Sequence, residues 1–414
     1  MTDPVDRRSF FKAAGALAAA AGASGCRAEP PSGDLRFALI GAGGQGSHIA
    51  DQLLKVKGTK LAAICEISPP NREKWTQKQP GLPVYSDWDE LLSTERDLQA
   101  VLVALPEHTH AVAAIAALKA GKHVFCEKPM AFSLDQGRAM IAAQKSSGMV
   151  LQVGQQRRSN PVYYLAKRLI EKKGFLGEVC RVDAFWDRNA DWKRSVPSEM
   201  MQESFARWGF PTPNHLVNWR LYRRYGHGLM TENGTHQLDA AGWLLGDKKP
   251  LAVCGMGAIR YRDGRETFDV AAAEYRYEGD TIVRFSQDFH QGFNFGGDYG
   301  ELFLGSEGAL RVCDERSLLH YPKNRRDGVE IKVAELGEIT FPGLHYTAED
   351  LAKVENFRDF SYENEMKIFA NCVRDGLTPT CTARIGYDSI VPTILGSTAQ
   401  VERRYIEIGG DAWS

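Results

Sequence analysis

From Leu35 onward the chain alternates short apolar runs with amphipathic stretches. Leu35–Ile40 reads as a buried strand, Ser47–Val56 as a helix, and Lys60–Cys65 and Ala100–Ala104 as further strands. His110–Ala120 reads as a helix closed by Gly121, and the strands His123–Cys126 and Val150–Val153 complete the run. Strands and helices alternating at these lengths predict an α/β unit, a doubly wound Rossmann-type parallel sheet over residues 35–155. After Gln155 the pattern changes. Pro161–Lys173 predicts a helix and Gly177–Asp187 a strand, followed by an irregular stretch, Arg188–Tyr225, rich in Trp, Arg and Pro. Strands at Ala252–Cys254, Ala271–Tyr277, Ile282–Phe289 and Glu301–Leu304, with a turn at Glu278-Gly279-Asp280, predict a mostly antiparallel open sheet. Residues 156–414 are therefore expected to form a second, α+β domain.

The first 34 residues do not fit either pattern. Arg7-Arg8-Ser9-Phe10-Phe11-Lys12 precedes an alanine-rich run, Ala13–Ala23, that is too short to span a bilayer. Leu17 is the run's one large apolar residue, too few to pack an amphipathic helix. It reads as a twin-arginine signal, an address read by the export machinery that carries folded proteins. Ala23-Ser24-Gly25-Cys26 resembles a lipoprotein cleavage box with alanine where leucine is usual, so Cys26 is a candidate lipid anchor. A periplasmic or membrane-anchored location is expected, with residues 27–34 as a linker.

Composition adds exclusions. With 51 Lys+Arg against 52 Asp+Glu in 414 residues, no charge excess points to nucleic acid. The eight cysteines form no C-x-x-C pair and no Cys/His cluster, so reduced thiols are expected and no metal site.

Gly41-Ala42-Gly43-Gly44-Gln45-Gly46 follows the first strand and opens the first helix. In that context Gly41 permits a tight turn, Gly43 lets the backbone approach a pyrophosphate, and Gly46 lets helix and strand pack closely. Gly44 and Gln45 sit at the helix N-terminus, where phosphates bind. Glu66 lies twenty residues after Gly46, at the end of the next strand. A carboxylate there accepts ribose hydroxyls and repels a 2′-phosphate, which selects NAD over NADP. Arg72 nearby is a counterweight.

Two further motifs complete a resemblance. Ala104-Leu105-Pro106-Glu107-His108-Thr109-His110 follows the third predicted strand, and Gly121-Lys122-His123-Val124-Phe125-Cys126-Glu127-Lys128-Pro129 follows the next helix. With the glycine fingerprint, the chain resembles the Gfo/Idh/MocA family, named for glucose–fructose oxidoreductase and inositol dehydrogenase. The resemblance implies that Lys128 lies beside the nicotinamide and contacts the reacting hydroxyl, in a Lys128-Pro129 bond that is often cis. It also implies cofactor contacts from Glu127, Pro106, His108 and His110. The family places an acid and a histidine four residues apart on a helix of the second domain, here Glu232 and His236, with glutamate where aspartate is usual. At that spacing both would share one helix face, with His236 taking a hydroxyl proton and Glu232 orienting it.

Gln155 and Arg157, just past the last Rossmann strand, and Trp192, Arg220 and Tyr222 in the irregular stretch are candidate substrate contacts. The resulting expectation is an exported NAD(P)-dependent oxidoreductase that moves hydride at a secondary hydroxyl of a sugar, sugar derivative or cyclitol. Export argues for tightly bound NAD, regenerated on the enzyme by a second substrate. Two alternatives stay open: a redox-neutral NAD-dependent glycosidase that oxidises, eliminates, hydrates and reduces, and a non-catalytic sugar- or cofactor-binding protein. Family resemblance also implies a homo-oligomer built through the open sheet face.

Overall fold

The computed structural model describes residues 33–189, 191–290 and 299–414. The twin-arginine segment and Cys26 lie outside the described residues.

The first sheet is parallel and has the order β3-β2-β1-β4-β5-β6. Its strands are β1 (Leu35–Ile40), β2 (Thr59–Cys65), β3 (Val84–Tyr85), β4 (Ala100–Val103), β5 (His123–Glu127) and β6 (Leu151–Gly154). Between them run α1 (Gly44–Leu54), α2 (Pro69–Lys78), α3 (Trp88–Thr94), α4 (His110–Lys119) and α5 (Leu134–Ser147). Successive strand residues point to opposite faces, and each face has its own core. Phe37 and Leu39 pack with Ile49 and Leu53 of α1, whereas Ala38 and Ile40 pack with Ala111 and Ala114 of α4. This Rossmann architecture is the one the sequence pattern predicts. The pattern did not predict α2 or α5, because each buries too little to write a periodic stripe. Trp75 is the sole buried residue of α2, and Gly137 and Met140 those of α5.

Among the described residues the second sheet has nine strands. After α6 (Pro161–Glu171) come β7 (Val179–Trp186), then α7 (Leu229–Glu232) and α8 (Gly234–Leu244). Strands β8 (Pro250–Ala258), β9 (Val270–Tyr277), β10 (Ile282–Asp288) and β11 (Tyr299–Gly305) follow. β7 sits centrally, parallel to β10 and antiparallel to β11, and the other pairs are antiparallel. Alternation is strict along β10: Val283 and Phe285 point into the core and Arg284 outward. On the outer face Arg284 pairs with Glu274 at 3.1 Å and Arg181 with Asp183 at 3.1 Å.

The chain end returns to the first domain. Met366, Phe369 and Ala370 of α9 (Phe357–Asp375) join Phe37, Leu39 and Phe125 in one core, with the Phe125 and Phe369 rings 5.8 Å apart. The backbone N–H of Val153 donates to the carbonyl of Cys381, 3.0 Å away, just before α10 (Ala383–Glu402). The two sheets are thus held as one packed body, which fixes the cleft between them. Of the seven described cysteines, all are free; Cys65, Cys126, Cys372 and Cys381 are buried, while Cys180 and Cys254 are exposed.

Candidate active site

A cavity of about 980 Å³ runs along the C-terminal ends of the first sheet and under the second domain. Its floor begins at the glycine turn. Gly41 has φ +91°, and a Cβ there would lie 2.2 Å from the Ala104 carbonyl oxygen. A Cβ on Gly46 would lie 1.9 Å from the Gly41 carbonyl oxygen, so neither position tolerates a side chain. At Gly43 and Gly44 a Cβ would meet nothing within 4 Å, so the backbone itself faces the cavity. No side chain caps the N-terminus of α1. Its first-turn amides and positive dipole end are therefore available to a diphosphate.

Glu66 ends β2 beside this turn. Its carboxylate accepts from the Ala42 amide at 2.8 Å and the Ser68 amide at 2.7 Å. Burial pushes its pKa up, and these amides act against that shift. Gln45 reaches across the turn and donates to Glu127 at 2.8 Å, tying the glycine loop to the end of β5.

At the other end lie Lys128, Glu232, Asn233 and His236. The Lys128-Pro129 bond is cis. Lys128 Nζ donates to the backbone carbonyl of Glu232 at 2.6 Å, crossing from the first domain to the second. His236 is buried and its Nδ1 has no protein partner. Burial, with Lys128, Arg157 and Arg358 nearby, holds its pKa well below the ordinary histidine range. Burial would raise the Glu232 carboxyl, but Arg220 and Lys128 overcome it and hold the pKa low.

The spacing argument for Glu232 and His236 needs correction. The helix breaks at Asn233, so Glu232 ends α7 and His236 lies in the first turn of α8. The Glu232 carboxylate turns to Arg220, which it binds at 2.5 Å, and makes no hydrogen bond to His236. Of the cofactor candidates, Gly41, Gly43, Gly44, Gln45, Gly46, Glu66, Pro106, His110, Glu127 and Lys128 line the cavity. His108 does not: its ring packs 5.0 Å from Tyr225 and 5.9 Å from Phe210. Both ring nitrogens of His110 are engaged, by the carbonyls of Pro129 and Leu105 at 2.8 and 2.7 Å, so this residue braces the lysine loop.

Among the substrate candidates only Arg220 lines the cavity. Arg157 is buried between Glu301 and Glu315, bonded at 2.5 and 3.1 Å, because a buried guanidinium requires carboxylate partners. Gln155 is held by Thr235 and Ser389 at 2.9 and 3.2 Å. Trp192 packs on Phe289, and the Tyr222 hydroxyl accepts from Asn214. Sequence reasoning gave no role to Gln156, Trp186 and Asn233, which do line the cavity, as does Trp219 of the segment Asn218–Tyr222 it had offered for sugar binding. It also passed over Glu107, inside a motif it had singled out. Glu107 is fully buried, accepts from Thr231 and the His227 amide, and has its pKa pushed well up by burial and by Glu232.

These residues fit a bound dinucleotide. The floor offers amides and a helix end to phosphates, and the far end offers a cation and a neutral imidazole to a reacting hydroxyl. Gln156, Asn233 and His236 of the cavity wall each carry a buried polar atom without a protein partner, which suits a ligand rich in hydroxyls. A Rossmann site that ends at a lysine and a histidine defines a nicotinamide-dependent oxidoreductase.

Family models agree. Residues 35–155 match the oxidoreductase family with the NAD-binding Rossmann fold, and residues 200–408 match that family's C-terminal alpha/beta domain. The chain belongs to the Gfo/Idh/MocA oxidoreductase family. It is 26% identical to the scyllo-inositol 2-dehydrogenase (NAD(+)) of Bacillus subtilis, over 84% of this chain and 89% of that one. Its fold is similar to that of an inositol dehydrogenase homolog from Azotobacter vinelandii complexed with NADH and myo-inositol. That match has a TM-score of 0.71 at 18% identity and covers 92% of this chain and 99% of the other. It is similar also to aldose–aldose oxidoreductase from Caulobacter crescentus complexed with glycerol, with a TM-score of 0.68 at 19% identity, covering 91% and 100%.

Proposed function

We propose that the protein is an exported, NAD-dependent oxidoreductase that oxidises a secondary hydroxyl of a sugar, sugar derivative or cyclitol and retains its cofactor between turnovers. The observation that carries this reading is the single cavity with Lys128 and His236 at one end and the glycine turn with Glu66 at the other. The named relatives act on or bind inositols, an aldose or glycerol, which supports the substrate class. Glu66, with Asp87 and Asp89 on the same cavity wall, opposes a 2′-phosphate and supports NAD over NADP. Arg72 is not among the residues of that wall.

Bound in the cleft, the nicotinamide ring supplies a two-electron hydride acceptor. His236, kept neutral by burial and neighbouring cations, takes the hydroxyl proton as the C–H hydride leaves. Lys128 has one Nζ hydrogen committed to the Glu232 carbonyl and two left to stabilise the developing alkoxide. Glu232 holds Arg220 over the Trp219 ring, 4.3 Å from its centroid, and so shapes the wall against which a sugar ring would stack. The twin-arginine segment supports export, and export leaves no evident pool of free dinucleotide. Hence the retained cofactor and its regeneration on the enzyme.

The test is to purify the protein, release any bound dinucleotide, and identify it by mass and absorbance. Candidate sugars and cyclitols are then incubated without added cofactor. Equal amounts of an oxidised and a reduced sugar support the closed cycle. A requirement for millimolar added NAD removes it and leaves an ordinary dehydrogenase. Cleavage of a nitrophenyl glycoside without net NADH would instead place the chain among redox-neutral glycosidases.

A further inference from the structure

The irregular stretch after β7 is not a passive connection. Arg194 and Asn218 are cross-tied: the Arg194 amide donates to Asn218 Oδ1 at 2.7 Å, and Asn218 Nδ2 donates to the Arg194 carbonyl at 2.9 Å. This closes residues 194–218 into a loop with its own apolar centre. Met200, Phe205, Phe210, Trp219 and Tyr225 are buried together, and Ile67 of the first domain packs against them.

Its Met200–Phe210 part lies by the loops after β2 and β3, at the Glu66 end of the cavity, whereas its Arg194–Asn218 tie leads into Arg220, which binds Glu232. The loop rests on three separate loops of the first sheet. After β2, Ser68 Oγ lies 3.6 Å from Met200 Sδ. After β3, Trp208 Nε1 donates to the Ser86 carbonyl at 3.1 Å and Arg207 to Ser86 Oγ at 3.0 Å. After β4, the His108 ring lies 5.9 Å from that of Phe210, and the His108 amide donates at 3.2 Å to the carbonyl of Tyr225, just beyond the loop. Met200, Arg207, Trp208 and Phe210 line the cavity together with Glu66 and Asn71. The Arg207 guanidinium stacks 3.8 Å from the Trp208 ring centroid. Among the described residues no carboxylate pairs with Arg194 or Arg207, and both line the cavity.

We propose that residues 200–210 roof the adenosine half of the dinucleotide site and that lifting this roof limits dinucleotide release. The proposal rests on reading the cavity as a dinucleotide site, and adds to it a binding wall with Trp208 and Arg207 as its edge. A floor of backbone amides alone leaves the adenosine exposed. The roof adds an aromatic face and the Arg207 guanidinium, which no carboxylate pairs among the described residues, suited to an anionic diphosphate and a planar base. Residues 201–204 are exposed and lack helix or strand, and each tie to the first domain comes from a single residue. Such a loop opens without unfolding either sheet.

The experiment uses NADH fluorescence with the full-length protein. NADH is loaded, then chased with excess NAD, and its release is timed; dinucleotide remaining after gel filtration is measured in parallel. Arg207→Ala/Trp208→Ala is expected to release NADH about 10-fold faster or more, the effect of losing two ties and an aromatic face. Trp208→Phe keeps an aromatic wall and loses one hydrogen bond, and is expected to fall between. It also serves should the double variant fold poorly. Equal release rates in all three proteins overturn the roof. A wild type that binds no NADH at any concentration overturns the dinucleotide reading itself, and the roof with it.

Discussion

The floor and the roof of the cavity are made in opposite ways. The floor is short contiguous motifs whose backbone does the binding: a turn that excludes Cβ atoms, an uncapped helix, and a carboxylate at a strand end. The roof is one long segment without regular structure, held by side chains scattered between Arg194 and Tyr225. The floor specifies what binds, through geometry that few residue types can satisfy. The roof governs how long it stays, through contacts that many residue types can supply. Lys128 and His236 line the cavity where the two domains join, and the proposed chemistry belongs to that junction.

Breaking the floor is expected to have the largest effect. In Gly46→Ala the new Cβ would overlap the Gly41 carbonyl oxygen, which is backbone and cannot rotate away. The turn must deform, and bound dinucleotide is expected to fall below detection after gel filtration, with the roof intact. Retention at the wild-type level would show that the roof, not the floor, carries binding.

Next comes the junction. Lys128→Met is expected to lower kcat about 100- to 1,000-fold, the usual effect of removing one donor to a developing oxyanion. Dinucleotide content should stay, because amides hold the phosphates. Unchanged turnover would remove the catalytic role of Lys128. His236→Gln is expected to lower kcat about 100-fold, as for loss of a general base. The wild-type rate of alcohol oxidation should stay level as pH falls through 6.5, since the folded protein holds His236 neutral well below that value. An acid limb centred near 6.5 would contradict the buried neutral imidazole.

Legibility in the sequence followed the same division. Gly41, Gly43 and Gly46 were readable because a turn under backbone constraint admits few residues. Lys128 was readable only through a motif, since a lysine at a strand end is unremarked by itself. Arg157 misled because a charged residue at a domain junction reads as a ligand contact, whereas its two carboxylate partners lie 144 and 158 residues away in the chain. The i, i+4 spacing of Glu232 and His236 misled because nothing in the spacing reveals the break at Asn233. In the irregular stretch, Trp and Arg have no periodicity, so composition could not separate Trp208, which lines the cavity, from Trp192, which packs on Phe289. Roof residues are defined by contacts to Ser68, Ser86 and His108 that only the folded chain brings together.

His108 joins floor to roof and offers the gentlest probe of that joint. Its ring packs against the paired rings of Phe210 and Tyr225, and its buried Nδ1 has no hydrogen-bond partner. Burial, with His110 and Arg224 nearby, lowers its pKa from 6.5 to about 4. Below pH 6.5 the unfolded chain therefore takes up a proton at this position that the folded chain refuses until about pH 4. Stability falls as pH drops through that window, and the contribution is fully present above it. His108→Phe keeps a ring in the aromatic cluster and removes the titration. Urea midpoints measured at pH 7 and pH 5 should show a smaller loss in the variant than in the wild type, a difference of a few tenths molar at most given the partial exposure of the ring. Identical losses in both proteins would mean that His108 is hydrated in the folded state and that the roof does not close over this loop.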